Sequence, residues 1–412
     1  MSNNVPVVIC SGLTILRCFT SLEQVAGLKP IGSGLPIVVA SHDPNSLAFS
    51  SKYCKQKLVI SDPTHFPHIT VLELIALGKT FSEKPVLYYG DDIYLLFISR
   101  HREALSLYYR FSLPNEALLE DLTSKSRFTL FSKQMDLPIP KTILSQDIQT
   151  ADDVLHFFSF PFVLKPHSHI GWAQSPIVQK GLGKPYKAIK VDNPAQFCDA
   201  YNTLKAFTTD FVIQEYIEGD EDAIYSFHAY FNQQSEPLAY YVGRKIRTYP
   251  IHAGESTFIE LVEEPAVVHI GLDILKKIKF VGVVKIDFKK DMLRNRFYLL
   301  ELNTRYNLWN YLGARCGINL PLLAYYDIIG EKSGIPPLQT NYKTGVRWVS
   351  FIDDLHAFHD LRNAGKISFT KWLFSYWCPK VYNVFAWKDP IPFFVWFGRA
   401  TWHYIFKKGT AS

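Results

Sequence analysis

The sequence predicts an open parallel α/β lobe followed by a larger α+β body. Three observations carry that reading. Short apolar strands alternate with helical spacing through residues 1–115, the pattern of a parallel sheet covered by helices. Further on, strands come in runs, two of them flanking a charged turn at residues 291–296. The chain has 412 residues, 48 % hydrophobic and 20 % charged, which is more than one ordinary core holds, so two or three lobes are expected.

Residues 5–10 and 35–40 read as buried strands with a helix-like stretch between them. Residues 85–89 form a third, ending at Gly90-Asp91-Asp92. Gly12 sits in the first turn, but no G-x-G-x-x-G follows, and Gly32-Ser33-Gly34 opens no helix after a strand; a nicotinamide site is poorly supported. Residues 123–136 have helical spacing with Phe128, Phe131 and Met135 on one face, and Pro138 and Pro140 end the run. Residues 160–166 form a strand that delivers Lys165 at its end. A Gly- and polar-rich stretch, 167–184, separates it from a strand at 188–191; further strands are expected at 211–216 and 238–243, and an amphipathic helix at 266–279.

The formal net charge of +6 is spread along the chain without a Lys/Arg tract or a nucleic-acid motif, so no nucleic-acid partner is expected. Six cysteines show neither a CxxC pair nor a zinc spacing, which suits a reduced, cytoplasmic compartment. Residues 1–6 are polar and lack the basic and apolar regions of a cleaved signal, and no eighteen consecutive apolar residues occur, so no spanning helix is expected.

The sharpest local pattern lies in residues 283–288 and 297–303. With period two, Val283, Lys285 and Asp287 share one face while Val284, Ile286 and Phe288 share the other. On the second strand Phe297, Leu299, Glu301 and Asn303 point one way, and Tyr298, Leu300 and Leu302 the other. The apolar face is expected to be core. The opposite face gathers an ammonium, two carboxylates and an amide, which need a counter-ion if buried. Such hard oxygen donors suit Mg²⁺, a cation that keeps waters and bridges phosphates. A solvated hairpin with ordinary Lys–Asp pairs is the plain alternative, but Glu301 and Asn303 sit in an apolar strand beside Arg305.

With the upstream lysines, the hairpin completes an order that resembles the ATP-grasp superfamily, and within it the D-aspartate ligase-like branch of carboxylate–amine ligases. The segments that carry the resemblance are Gly90-Asp91-Asp92, the helix start at Lys125, Val163-Leu164-Lys165-Pro166, Gln214-Glu215-Tyr216-Ile217-Glu218-Gly219, Lys285-x-Asp287 and Glu301-Leu302-Asn303-Thr304-Arg305. Gly345-Val346-Arg347-Trp348 and Asp389-Pro390-Ile391-Pro392-Phe393 also match. The resemblance implies a pre-ATP-grasp lobe over residues 1–115, a two-subdomain ATP-grasp domain over 116–330 with ATP between the subdomains, and an aromatic-rich C-terminal extension over 331–412. It implies that Lys125 and Lys165 hold the nucleotide phosphates, and that Gln214, Glu215, Tyr216 and Ile217 form the adenine hinge. Glu221 falls where a ribose-binding acid lies, with Asp220 and Asp222 as alternatives. Asp287, Glu301 and Asn303 match the ligands of Mg²⁺, for which Mn²⁺ could substitute; Lys285 matches a group that stabilises the tetrahedral intermediate, and Arg305 one that binds the carboxylate.

The implied reaction is ADP-forming: a small carboxylate becomes an acyl phosphate, and an amine-bearing acceptor then forms the amide. A thiol acceptor and a nucleotide-binding scaffold without turnover are the alternatives. One departure concerns residues 167–187, longer and less glycine-rich than the phosphate-covering loop of many relatives; Lys180 and Lys187 are its candidates. The C-terminus goes beyond the family pattern. Residues 393–408 join Phe and Trp residues to Lys407-Lys408, and Trp372-Leu373-Phe374-Ser375-Tyr376-Trp377 adds a second cluster. Two readings stand: a helix closing onto the body, or a segment lying peripherally at the inner face of a membrane, suited to an envelope or lipid-linked acceptor.

Overall fold

The computed structural model describes residues 5–20, 35–166, 188–208, 211–251, 254–331 and 338–407. In the N-terminal lobe, β1 (Val7–Cys10) lies between β2 (Ile37–Ser41) and β4 (Val86–Tyr89), with β3 (Gln56–Val59) outside β2, all parallel. β1, β2 and β4 are buried at every position, as parallel strands covered on both faces must be. β3 is a largely exposed edge strand, which is why no apolar run announces it.

A small antiparallel sheet follows, in the order β5 (Thr142–Leu144), β8 (Phe211–Glu215), β6 (Phe162–Pro166), β7 (Ile189–Val191). It has a core of its own, in which Phe162, Leu164 and Ile213 pack with Val154 and Phe197. Those last two come from the helices Ala151–Phe157 and Pro194–Phe207.

The third sheet has seven strands, ordered β13 (Arg296–Asn303), β12 (Gly282–Asp291), β9 (Ile224–Phe231), β10 (Pro237–Tyr249), β11 (Glu255–Val262), β14 (Arg347–Val349) and β15 (Lys380–Tyr382). Only its β14–β15 pair is parallel. One face, with Tyr230, Tyr241, Ile259 and Val283, merges into the core of the N-terminal lobe. The other, with Phe227, Val242, Ile286 and Phe288, packs on the helix Pro265–Lys277.

β14 and β15 come from the last eighty or so residues, and two buried ion pairs fasten the rest of that segment. Asp354, in the helix Phe351–Asn363, accepts both guanidinium bonds of Arg247 at 2.7 and 2.9 Å, and bonds from Thr257, Trp372 and Tyr376. Asp389 meets Arg17 of the N-terminal lobe at 3.4 Å and accepts from Ser51 Oγ at 2.9 Å. Breaking one partner of such a pair costs roughly 3–5 kcal/mol.

Candidate active site

The expected helix over residues 123–136 is divided. Ser124 adopts an extended conformation and caps Lys125–Gln134 by accepting from the Arg127 amide. This puts Lys125 at the first helical position, where the ammonium joins the positive end of the helix dipole, an arrangement that an anion satisfies. Lys165, at the end of β6, donates from Nζ to Gln214 Oε1 at 2.5 Å, and Gln214 Nε2 donates to Thr142 Oγ1 at 2.9 Å. Burial, with Lys125 and then Lys289 adding like charge, pulls the Lys165 pKa down to about 7, while Glu301 pulls it the other way. Lys165 on the small sheet thus lies in the field of Lys125, at a helix start, and of Glu301, on the large sheet.

On the hairpin, Lys285 pairs with Asn303 and Asp287 with Glu301, so these four share a face as expected. A register shift then separates Asp287 from Phe288, whose partner is Leu299. This bulge, at Leu300, inverts the alternation beyond it. The expected grouping of Phe297 and Leu299 with Glu301 and Asn303 is thus corrected: Phe297 and Leu299 belong to the core behind the hairpin.

Asp287 is buried and meets Lys285 Nζ at 2.9 Å and Lys245 Nζ at 3.1 Å, and it accepts from the Ser226 hydroxyl. Burial alone would raise its carboxyl, but the two ammonium groups and the hydroxyl hold it well below the usual carboxylate range. Lys245 escaped sequence reasoning. In β10 it pairs with Ile259, whereas Arg247 pairs with Phe258. The bulge at Ile246 therefore aims Lys245 at Asp287 and Arg247 at Asp354. Lys285 lies 5.1 Å over the Trp309 ring. Trp309 and Tyr241 also stack on buried His228, at 5.1 and 4.6 Å; burial and then Lys285 hold that imidazole neutral.

Residues after β8 lie near the same charged groups. Gln214 itself is paired on both sides within the small sheet, so it reaches the site through its side chain. Glu215 bonds Arg294 at 2.7 Å, linking the small sheet to the hairpin turn. The Tyr216 ring lies between Lys190 and Lys289, at 4.7 and 5.0 Å. Lys289 Nζ donates to Gly219 O at 2.6 Å and feels Glu221, which is buried beside it, as is Ile217. The candidates Lys180 and Lys187 lie outside the described residues.

Arg305 reaches back to the N-terminal lobe and donates from Nε to Asp92 Oδ1 at 2.7 Å. Asp92 follows the β4 end at Gly90, where an added Cβ would fall 2.4 Å from Ser11 O, so the turns after β1 and β4 touch. Ligands of open α/β sheets bind beyond such strand ends. A shallow pocket of about 510 Å³ lined by Pro138, Glu264, Lys290, Arg296 and Phe297 holds none of the predicted site residues.

No protein-family model matches the chain. Among characterised proteins it is similar to D-aspartate ligase from Enterococcus faecium, 24 % identical over 270 residues; the match covers 64 % of this chain and 62 % of that ligase, so the chain spans less than two thirds of its relative's length. Among solved structures, L-amino acid ligase from Bacillus licheniformis superposes with a TM-score of 0.57 at 14 % identity, covering 81 % of this chain and 78 % of the other. Biotin carboxylase from Campylobacter jejuni, described as a β-γ-ATP complex, gives 0.57 at 12 % identity, covering 83 % and 74 %. The chain has the ATP-grasp fold.

Within that ATP-grasp fold, the oxygen donors of the hairpin suit a hard divalent cation. Asp287 stays ionised, as a metal ligand must. Asn303 Nδ2 donates to Glu301 Oε1 at 3.1 Å, which directs the amide oxygen elsewhere. Two carboxylates and one amide oxygen make an incomplete set, the kind Mg²⁺ or Mn²⁺ fills out with water and phosphate oxygens.

Proposed function

We propose that this chain is an ADP-forming carboxylate–amine ligase acting through an acyl phosphate. One observation supports the reading: Lys165 on the small sheet feels both Lys125, at its helix start, and Glu301, on the large sheet, while the Asp287–Lys285–Lys245 cluster shares the hairpin with Glu301. Two ammonium groups opposite a carboxylate set are what a polyphosphate and its cation need.

In this reading Lys125 and Lys165 hold the nucleotide phosphates and neutralise charge as the γ-phosphoryl moves. Glu215, Tyr216 and Ile217 receive the adenine, and Glu221 the ribose. Asp287, Glu301 and Asn303 would hold Mg²⁺, which when bound would supply further charge neutralisation. Arg305, oriented by Asp92, presents its planar fork to the carboxylate. Lys285 meets the oxyanion of the tetrahedral intermediate formed when the amine adds to the acyl carbon; phosphate leaves as that intermediate collapses to the amide. The Lys285 ammonium is steadied by Asp287 and the Trp309 ring. Closing the cleft excludes the water that would hydrolyse the acyl phosphate.

The test is ADP release by the purified protein with Mg²⁺, ATP, pooled small carboxylates and pooled amines, with mass spectrometry of new products. ADP release that needs both a carboxylate and an amine is expected. ADP release indifferent to the amine, or nucleotide binding without turnover under every pool, counts against the ligase.

A further inference from the structure

The outer surface of the C-terminal segment is unlike the rest of the molecule. Trp377 is 89 % exposed and Trp387 88 %, and Phe374, Phe394 and Phe397 are each more than half exposed. The helix Ile391–Lys407 carries Ile391, Phe394 and Phe397 at spacings of three, so these exposed side chains form one broad face. Phe393 borders this face, stacked on Phe397 at 6.0 Å, and packs on Phe385 at 5.4 Å, which in turn meets Trp387 at 4.8 Å, so Trp387 adjoins the same face. The start of the helix is fixed by the Asp389 clasp to Arg17 and Ser51. Arg399 donates to the carbonyl of Asn45, holding the helix against the N-terminal lobe with its apolar face outward.

Charge marks the same region. From residue 366 to 408 the chain holds seven Lys or Arg and a single carboxylate, Asp389. Asp389 is 1 % exposed and spent on the clasp. Lys366 is answered by Asp220 at 2.7 Å; Lys371 and Lys388 stand exposed among the aromatics. Exposed tryptophan and phenylalanine beside basic residues, with no exposed carboxylate contributed by the segment, match an interface of apolar chains under anionic headgroups. No described helix is long and apolar enough to cross a bilayer.

We infer that this face docks the protein in the plane of an anionic lipid surface. The helix Ile391–Lys407 and the Trp377 and Trp387 side chains enter the headgroup region, while Lys371 and Lys388 contact lipid phosphates. The inference stands on exposure and charge and is independent of the ligase reading.

Full-length protein is sedimented with phosphatidylcholine vesicles, with and without phosphatidylglycerol, in the absence of nucleotide. Binding only to the anionic vesicles, weakened by salt, is expected, with a blue shift of tryptophan emission. Trp387→Ser with Phe394→Ser should lower the partition coefficient by about tenfold or more. Lys371→Glu with Lys388→Glu, both at exposed positions, should do the same and keep the wild-type melting temperature. Failure to bind anionic vesicles, or undiminished binding by the charge-reversal protein, overturns the inference. So does a dimer that the aromatic variant dissociates and vesicles leave intact, since the face would then join two copies of the chain.

Discussion

Lys165 offers a prediction that can be read in protons. Burial and the neighbouring Lys125 bring its pKa to about 7 in the free protein. At pH 8 such a group is about one-tenth protonated. A bound polyphosphate restores the charged form, returning the group to about the ordinary lysine value near 10.4. Nucleotide binding at pH 8 should therefore take up about 0.9 proton per site from this residue. Calorimetry in buffers of different ionisation enthalpy measures that number. Lys165→Arg keeps the charge at all accessible pH, so its uptake should be smaller by about 0.9, and the difference cancels the nucleotide's own titration. The same shift has a stability consequence. Between pH 7 and 10 the unfolded chain binds more protons at this residue than the free folded one, so this contribution to stability rises with pH across that window. Saturating nucleotide should flatten the rise. Equal proton uptake by the two proteins, with affinity intact, would refute the placement of Lys165 against phosphate.

Three other outcomes follow from the geometry. Asp287→Asn should abolish ADP release and also destabilise by roughly 3–5 kcal/mol, because Lys245 and Lys285 lose their counter-charge; Glu301→Gln, at an exposed position, should abolish release while the denaturation midpoint stays put. Arg305→Lys should raise KM for the carboxylate far more than KM for ATP, and steady-state kinetics with each substrate varied separates the two. Asp354→Ala should cost roughly 3–5 kcal/mol in urea denaturation, since Arg247 is left buried without its partner.

How far the sequence could be read depended on whether a residue's role is local. Period two in the hairpin placed Lys285, Asp287, Glu301 and Asn303 on one face because their alternation survives up to Leu300. It misplaced Phe297 and Leu299, since nothing in the letters Tyr-Leu-Leu announces a bulge. Buried parallel strands were plain from their apolar runs, whereas β3 reads Gln-Lys-Leu-Val and looks like a loop. Lys245 was hidden for a different reason. In Arg244-Lys245-Ile246-Arg247 three cations in four residues resemble a solvated edge, and only the bulge, with β12 lying one strand away across β9, brings one of them to Asp287. The tie from Arg305 to Asp92 joins residues 213 apart in sequence, a distance over which no local pattern carries information.

The division of the hydrophobic cores has a mechanical meaning. Tyr88 OH reaches Pro321 O, Tyr325 OH reaches Val5 O and Asn319 Nδ2 reaches Cys18 O. With the shared core and the Asp389 clasp, these bonds make the N-terminal lobe, the large sheet and the tail a single block. The small sheet of β5 to β8 keeps a separate core and is tied to the hairpin of that block by a polar contact, Arg294–Glu215. Polar contacts exchange with water at little net cost, whereas splitting a core does not. The block is thus an anvil on which Asp287, Lys285, Glu301 and Arg305 are fixed relative to one another, while Lys165 stands on a separately cored piece.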